Sequence, residues 1–491
     1  MKPVEFRCDL DGPTIPLPHN WEHTIGSDHA AMALRAEYRE QLARCNRELG
    51  IGHVRFHGLL SRDMGALSRQ NRMLVSSFYN AHSTWDFLLS IGMKPFVELS
   101  FMPEELASGR ATVFHYLGNV TPPRRYSAWA DLVRDLATSA LARYGAAEVS
   151  TWPFEVWNEP NLRAFWRGTR DQYWRLYGAT ARALKTVHPD IPVGGPATAQ
   201  NAWIEEFLEM SEREELPVDF VSTHHYPNDA FAGSTMDTET QLAHAQRGFL
   251  REQAQDARRR ARGKPLYYTE WNASSDSRFP LHDESYAAAF IVKTLLDGCG
   301  LADVYSFWTF SDLFEENAFP AQPFHGGFGL LTIHGVAKPS YRAFEYLHKL
   351  GTKLVTPVDG THPTVDAWVV RNDETHEAAA VVTNHTFPRH EIVLERVLLH
   401  LTTTRRPRSA AVVRIDDDHG NAKRCWMEMG SPQYPSRSQV DELHAASVVD
   451  LRPHPVRVDG SVVRVEVDVP PQGLAMVFLT FAPPDSSERD R

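Results

Sequence analysis

The chain has 491 residues, 42% of them hydrophobic, so it is long enough to bury a large core in two or three domains. Its formal net charge is -11, and the 62 acidic and 51 basic residues are spread along the chain without a long block of one sign. This distribution argues against a nucleic-acid-binding surface and against an anionic membrane as a partner.

The N-terminus, MKPVEFRCDLDGP, has no apolar stretch of the signal-peptide kind, and no later run approaches the roughly 18 apolar residues that a membrane span requires. We therefore expect a cytoplasmic protein. The cysteines lack a C-x-x-C spacing and are expected to be reduced structural thiols. They are Cys8, Cys45, Cys299 and Cys425.

Short apolar runs alternate with longer amphipathic stretches from about Trp21 to Leu350. The runs predict strands at WEHTIG, HVRFHG, KPFVELSF, PFEVWNE, IPVGGPAT, DFVSTHHY, PLYYTEWN and DVYSFWTF. The stretches predict helices over residues 32–49, 84–91, 126–143, 171–187, 203–211, 240–261, 284–299 and 341–350. Eight such units predict an α/β fold, a (β/α)8 TIM barrel. A doubly wound sheet is the weaker alternative, because no strand is followed by a glycine-rich phosphate-binding loop.

The pattern changes after Leu350 to short strands separated by polar turns, which is typical of a β-sandwich. The predicted strands are AWVVRN, AAAVVTN, HEIVLERVLLHL, AAVVRI, SVVRVEVDV and LAMVFLTF, with one helix over residues 438–446. The opening PVEFRCDL is a candidate to pair with this domain. We assign residues 14–350 to the barrel, residues 1–13 and 351–482 to the sandwich, and residues 483–491 to a disordered tail.

Glu159 and Glu270 stand where the fourth and seventh predicted strands end, in FEVWNEPNL and YYTEWNAS. Carboxylates at the C-terminal ends of barrel strands point into a shared active-site mouth. Two carboxylates about 5 to 5.5 Å apart suit double displacement at an anomeric carbon, and two buried structural ions are the competing interpretation. The pair favours a retaining glycoside hydrolase. Glu98 and Glu155 lie within predicted strands and are given no catalytic role.

Several segments in order resemble the bacterial β-xylosidases of glycoside hydrolase family 39: HVRFHGLL, VFHYLGNVTPP, FEVWNEPNL, DFVSTHHYP, YYTEWNAS, FWTFSDLFEE and FHGGFGL. The resemblance covers essentially the whole chain, because DDDHGNAKRCWMEMGSPQYPS in the second domain is also similar. It implies a retaining, exo-acting β-D-xylosidase of xylan degradation that releases xylose from the nonreducing end of xylo-oligosaccharides. No cofactor is expected, because this chemistry uses only side chains.

The resemblance implies that Glu159 is the general acid/base and Glu270 the nucleophile. It implies substrate-binding roles for seven further residues, which are Asn158, His57, His224, Tyr226, Glu316, Trp308 and Phe114. Among them, Asn158 would bond the sugar 2-OH, and Tyr226 would orient the Glu270 carboxylate.

Two further pairs would form the glycone site. His57 and Glu316 would bind sugar hydroxyls, with Glu315 as the alternative to Glu316. Trp308 and Phe114 would stack on the apolar face of the sugar.

The neighbouring histidines His224 and His225 do not predict a metal site. They face opposite sides of an extended strand and lack a third ligand at a diagnostic spacing. We expect no metal.

Other functions remain to be separated from the β-xylosidase. An α-L-iduronidase of the same family would need Lys or Arg to neutralise a uronate, and HHYPNDAF after the sixth strand supplies neither. An α-L-arabinosidase stays open. A noncatalytic carbohydrate-binding protein would be favoured by loss of either glutamate, and both are present. The pattern does not indicate an oligomeric state.

Overall fold

The computed structural model describes residues 2–71, 73–231, 233–316 and 319–482, so the predicted tail at 483–491 lies outside the described residues. Eight parallel strands close into a barrel in sequential order, which confirms the predicted TIM barrel. The strands are β1 (Thr24–His29), β2 (His53–His57), β3 (Lys94–Leu99), β4 (Phe154–Val156), β5 (Val193–Ala199), β6 (Phe220–His224), β7 (Leu266–Trp271) and β8 (Val304–Phe307).

Helices and short turns connect the barrel strands. The helices are Ala36–Leu49, Tyr79–Ser90, Tyr126–Tyr144, Ala146–Val149, Arg170–Val187, Ile204–Arg213, Thr238–Ala243, Phe249–Arg260, Ser285–Asp297 and Pro339–His348. The 3-10 turns are Ala30–Leu34, Arg62–Met64, Asp229–Phe231 and Pro280–Asp283. Two small hairpins pair Leu67–Gln70 with Met73–Ser76 and Thr112–Val113 with Gly118–Asn119.

Two predicted helices differ from the observed ones. The single helix predicted over residues 240–261 is two helices, because Asp237 caps the first at the backbone N–H of Thr240 and Gly248, a poor helix former, precedes the second. The helix predicted to begin at residue 84 begins at Tyr79, where polar residues interrupt the amphipathic pattern.

The second domain contains two sheets, consistent with the predicted β-sandwich. One sheet has the order Val4–Asp9, Glu395–Thr402, Val462–Val469 and Arg457–Asp459. The other has the order Thr14–Pro16, Lys353–Val355, Val365–Asn372, Glu377–Asn384, Gly473–Phe481, Pro407–Ile415 and Arg452–Pro453. The N-terminal strand Val4–Asp9 therefore pairs with a strand of the C-terminal domain, as expected for PVEFRCDL. Thr14–Pro16, which falls within the range assigned to the barrel, pairs with Lys353–Val355 of this sheet.

Two details of this domain correct the sequence pattern. The strand expected from HEIVLERVLLHL begins only at Glu395. A helix at Ala422–Glu428, which the pattern did not predict, precedes the helix Arg437–Ala446. Together the two helices pack against the loop that follows β8, through a cluster of Phe324, Val336, Ala422, Trp426 and Leu443.

The loop after β8 is tied to the barrel by a buried lysine. Nζ of Lys338 lies 2.6 Å from carboxylate oxygens of both Asp283 and Asp312, and it donates to the carbonyl of Gly327 at 3.0 Å. Because these groups are fully or almost fully buried, the ion pairs fix the path of the loop that carries Glu316. Within the described ranges, the search for a helix long and apolar enough to span a membrane found none.

Candidate active site

The side chain of Arg55, on β2, is fully buried at the carboxyl end of the barrel and contacts carboxylates on three other strands. Its Nε donates to Glu155 at 2.6 Å and its Nη1 to Glu270 at 2.8 Å. Its Nη2 lies 2.9 Å from Glu98. Burial lowers the pKa of Arg55, but these three anions outweigh it and raise the pKa above its usual value. Arg55 is therefore a permanent cation.

Both carboxylate oxygens of Glu270 are held by donors. Oε1 accepts from Arg55, and Oε2 accepts from the hydroxyl of Tyr226 at 3.0 Å, the contact that the predicted orienting role requires. His57 Nε2 lies 3.6 Å from Oε1. Burial raises the pKa of Glu270 above its usual value, and Arg55 and His57 oppose that rise. The carboxylate thus has a cation and a fixed orientation, as a nucleophile needs.

Glu159 stands on strained backbone directly after β4. Its φ is 42° and the φ of Trp157 is 75°, both in the left-handed region. Residues other than glycine adopt this conformation only where the surrounding structure holds them in it. The N–H of Glu159 donates to the carbonyl of Ala197 at 2.8 Å. Burial raises the pKa of Glu159 well above its usual value, and the nearby Glu270 and Asp229 raise it further. The environment therefore favours a protonated acid.

His224, the last residue of β6, lies between Glu159 and Thr269. Its Nδ1 is 3.1 Å from Glu159 Oε1 and its Nε2 is 3.0 Å from the hydroxyl of Thr269. Burial lowers the pKa of His224 well below its usual value, and the nearby Arg55 and His57 lower it further. The ring is therefore neutral near pH 7. His225, its neighbour, turns away and lies 3.3 Å from Asp229.

A β-bulge in β7 brings two consecutive side chains into this site. Thr223 of β6 pairs with Tyr268, but His224 pairs with Glu270, so Thr269 has no partner in β6. The bulge interrupts the usual alternation of side chains along a strand. As a result Thr269 and Glu270 both contact groups at the same end of the barrel.

Asn158 is buried beside Arg55. Its Oδ1 accepts from Arg55 Nη2 at 3.0 Å. Among the described residues the amide nitrogen of Asn158 donates no hydrogen bond, which leaves that group for a ligand hydroxyl, as the predicted 2-OH contact requires.

The structure distinguishes Glu316 from Glu315. Glu315 accepts from Arg35 at 2.7 Å, at the edge of the site. Glu316 is buried with its Oε1 3.6 Å from His57 Nε2, and within the described ranges this oxygen has no hydrogen-bond donor. Burial raises the pKa of Glu316 well above its usual value, and Asp28 and Glu270 add to the effect. Glu316 is therefore the carboxyl that faces His57.

The two aromatic residues expected to stack on a sugar lie around His57. Trp308 packs with its ring centroid 4.8 Å from that of His57, in a buried cluster with Tyr226, Phe314 and Phe328. Phe114 is half-buried and lies nearly parallel to His57 at 6.4 Å. His57 itself is held through Nδ1 by Glu98 at 2.5 Å. These rings form one wall beside Glu270.

Glu159, His224 and Glu270 form the one group in the described chain with the spacing of metal ligands, because one ligand atom of each lies within 4.8 Å of the others. Local sequence spacing could not reveal this group, since the residues come from three separate strands. Arg55 already supplies the positive charge at Glu270 and lies 3.5 Å from His224, so a second cation here would be repelled. The donor set fits a carboxylate pair with a bound guanidinium better than a metal centre.

Sequence reasoning missed Arg55 and Thr269. Arg55 had a readable signal, because Glu98 and Glu155 lie inside buried strands and such carboxylates need a buried cation. HVRFH offers that cation within a neighbouring strand. Thr269 had no readable signal in the sequence, since its inward position depends on the bulge in β7.

The chain is similar to known proteins over most of its length. The family model described as Glycosyl hydrolases family 39 matches residues 5–463. A curated β-xylosidase from Caldicellulosiruptor saccharolyticus is 48% identical over 87% of this chain and 88% of its own length. A curated β-xylosidase from Geobacillus stearothermophilus is 37% identical over 87% of this chain and 86% of its own length. The solved structure of a GH39 β-xylosidase from Caulobacter crescentus is 32% identical and covers 97% of this chain and 99% of its own, with a TM-score of 0.81.

The charge balance at Arg55 can be tested through stability. Arg55→Met should destabilise the protein by about 3–5 kcal/mol at pH 7, because it leaves buried carboxylates without their cation. Arg55 helps to keep the pKa of Glu98 below its usual value, so in the variant that carboxyl binds a proton more readily and the deficit relative to wild type shrinks as pH falls toward 5. Denaturant unfolding at several pH values measures both effects.

Arg342→Met is the matched control, because Arg342 is also buried but pairs with a single partly exposed carboxylate, Glu345, at 2.6 Å. Its smaller loss of stability should change little between pH 7 and 5. A deficit for Arg55→Met that is constant over this pH range would contradict the assigned charge balance.

Proposed function

Because this chain belongs to glycosyl hydrolase family 39, we propose that it is a retaining, exo-acting β-D-xylosidase that releases xylose from the nonreducing end of xylo-oligosaccharides. The β-xylosidases to which it is similar cover most of the chain, which favours this activity over others in the family. The proposed reaction requires no cofactor.

The observation that carries the mechanism is the spacing and unequal environment of the two glutamates. Carboxylate oxygens of Glu159 and Glu270 lie within 4.8 Å of each other, which suits the retaining spacing of about 5–5.5 Å between carboxyl groups better than the wider inverting one. Arg55 contacts Glu270 directly, whereas the charged groups that act on Glu159 are mainly anions. Unequal environments of this kind separate an acid from a nucleophile.

In the proposed first step, Glu270 attacks the anomeric carbon and forms a glycosyl ester, while Glu159 gives its proton to the departing glycosidic oxygen. In the second step, Glu159 takes a proton from water, and the resulting hydroxide attacks the same carbon and releases Glu270. Two inversions give net retention. Asn158 would bond the sugar 2-OH through its free amide nitrogen during both steps.

The charges around the glycone site support a neutral sugar. Glu316 and Glu98 flank His57, and the nearby Arg35 is engaged by Glu315. A uronate would meet carboxyl groups here, so an α-L-iduronide is a poor fit. We also propose that the enzyme acts in the cytoplasm, which agrees with four cysteines that all remain unpaired in this fold.

The activity can be tested on a panel of 4-nitrophenyl glycosides. We expect the β-D-xyloside to give the highest kcat/KM, above the β-D-glucoside, the α-L-arabinosides and an α-L-iduronide. Xylotriose should lose xylose from one end, with β-xylose as the first anomer seen by proton NMR. No turnover of any glycoside would refute the enzymatic assignment, and α-xylose as the first product would refute retention.

Azide rescue separates the roles of the glutamates. Glu270→Ala should lose nearly all activity, and azide should restore part of it as the α-configured glycosyl azide. Glu159→Ala should still form the glycosyl enzyme from substrates with good leaving groups, which need little protonation, and azide should then give the β-configured product. The same azide anomer from both variants would contradict this assignment of roles.

A further inference from the structure

Four buried side chains form a continuous hydrogen-bonded row across the mouth of the barrel. The carboxylate of Glu155 accepts from the hydroxyl of Thr269 at 2.8 Å. Thr269 Oγ1 lies 3.0 Å from His224 Nε2, and His224 Nδ1 lies 3.1 Å from Glu159 Oε1. Each of the four is at most 8% exposed, so solvent competes little with these bonds.

The direction of the row follows from counting hydrogens. The hydroxyl of Thr269 has one hydrogen, which it donates in a hydrogen bond to Glu155 Oε1. Glu155 is a carboxylate that can only accept, and its other oxygen accepts from Arg55. Thr269 Oγ1 must then accept a hydrogen from His224 Nε2. Because the imidazole is neutral, its Nδ1 carries no hydrogen and is an acceptor.

Arg55 is a weaker partner of His224 Nε2 than Thr269, because its contact is 3.5 Å long against 3.0 Å for Thr269 Oγ1. Its Nη2 donates to Asn158 Oδ1 at 3.0 Å and forms an ion pair with Glu98 Oε2 at 2.9 Å. His224 Nε2 is farther away, at 3.5 Å. Thr269 is therefore the partner that decides which nitrogen of His224 is protonated.

We propose that Thr269 is a positioning residue that fixes His224 as its Nε2–H tautomer, so that Glu159 holds its proton at rest by donating it to Nδ1. This inference rests on the proposed function of Glu159 as general acid. When Glu159 passes its proton to the leaving oxygen, His224 stays neutral and keeps its hydrogen on Nε2. The new carboxylate then faces the lone pair of Nδ1, which favours its recovering a proton from water in the second step.

Other charged groups act on the same pair of residues. Glu270, Asp229 and Glu98 favour the protonated form of Glu159, and Arg55 opposes them. Arg55 and His57 disfavour a charged His224. Glu270 Oε1 lies 3.6 Å from His224 Nδ1, beyond hydrogen-bond range, and is engaged by Arg55. None of these groups contacts the hydroxyl of Thr269, so its removal directly changes only the hydrogen bonds of His224 and Glu155.

The test uses the pH dependence of kcat/KM, whose basic limb reports the apparent pKa of the acid. Thr269→Val removes the acceptor for Nε2–H, which allows Nδ1–H to stabilise the Glu159 carboxylate. The basic limb should move down by about one pH unit, with about a tenfold loss of kcat/KM above it. The loss should be greater for xylobiose than for 2,4-dinitrophenyl β-D-xyloside, whose leaving group needs little protonation.

Two controls separate this role from a structural one. Thr269→Ser keeps the hydroxyl and should keep the wild-type basic limb. Thr223→Val removes a buried hydroxyl that bonds the carbonyl of Thr198 at 2.9 Å, away from this row, and should also leave the limb in place.

The tautomer can also be read without substrate, by ¹⁵N NMR of the histidine-labelled full chain, with His224→Gln for assignment. Nε2–H with an unprotonated Nδ1 supports the proposal. Nδ1–H in the wild type, or an unmoved basic limb in folded Thr269→Val, overturns it. If the wild type cleaves no glycoside, the proposed function fails, whereas the NMR result still decides the tautomer.

Discussion

The guanidinium of Arg55 lies within 3 Å of carboxylate oxygens of Glu98, Glu155 and Glu270, all of them buried at the same end of the barrel. Three such anions on three barrel strands could not remain ionised without a cation at this distance. The orientation of the site follows from this contact. Arg55 fixes one oxygen of Glu270, and it also orients Asn158. Glu159 lies outside this direct contact, and burial among anions favours its protonated form.

The rest of the fold holds this charge arrangement in place. The loop after β8 carries Glu316 toward His57 and is fixed from inside by the ion pairs of Lys338. From outside, the helices of the second domain pack on the same loop, where Phe324 and Trp426 lie 5.6 Å apart. The second domain therefore contacts the loop that carries Glu316, and its N-terminal strand, Val4–Asp9, pairs with Glu395–Thr402.

Much of this arrangement could be predicted from the sequence. Strong β-strand runs followed by amphipathic stretches predict the barrel, and Glu159 and Glu270 stand visibly at strand ends. Two features depend on tertiary structure instead. The bulge that turns Thr269 inward needs the register of β6 against β7, and the left-handed backbone of Glu159 needs its bond to Ala197. The break between Ala243 and Phe249 is a local feature, because Gly248, a poor helix former, directly precedes the second helix.

The proposed mechanism requires that Arg55 keep Glu270 ionised while Glu159 holds a proton. Carboxyl ¹³C NMR of glutamate-labelled protein measures these protonation states directly, with Glu159→Gln and Glu270→Gln to assign the two resonances. We predict that the Glu270 resonance titrates at lower pH than the Glu159 resonance, and that Glu159 is still largely protonated where Glu270 is ionised. A Glu159 resonance that titrates below that of Glu270 would contradict these protonation states.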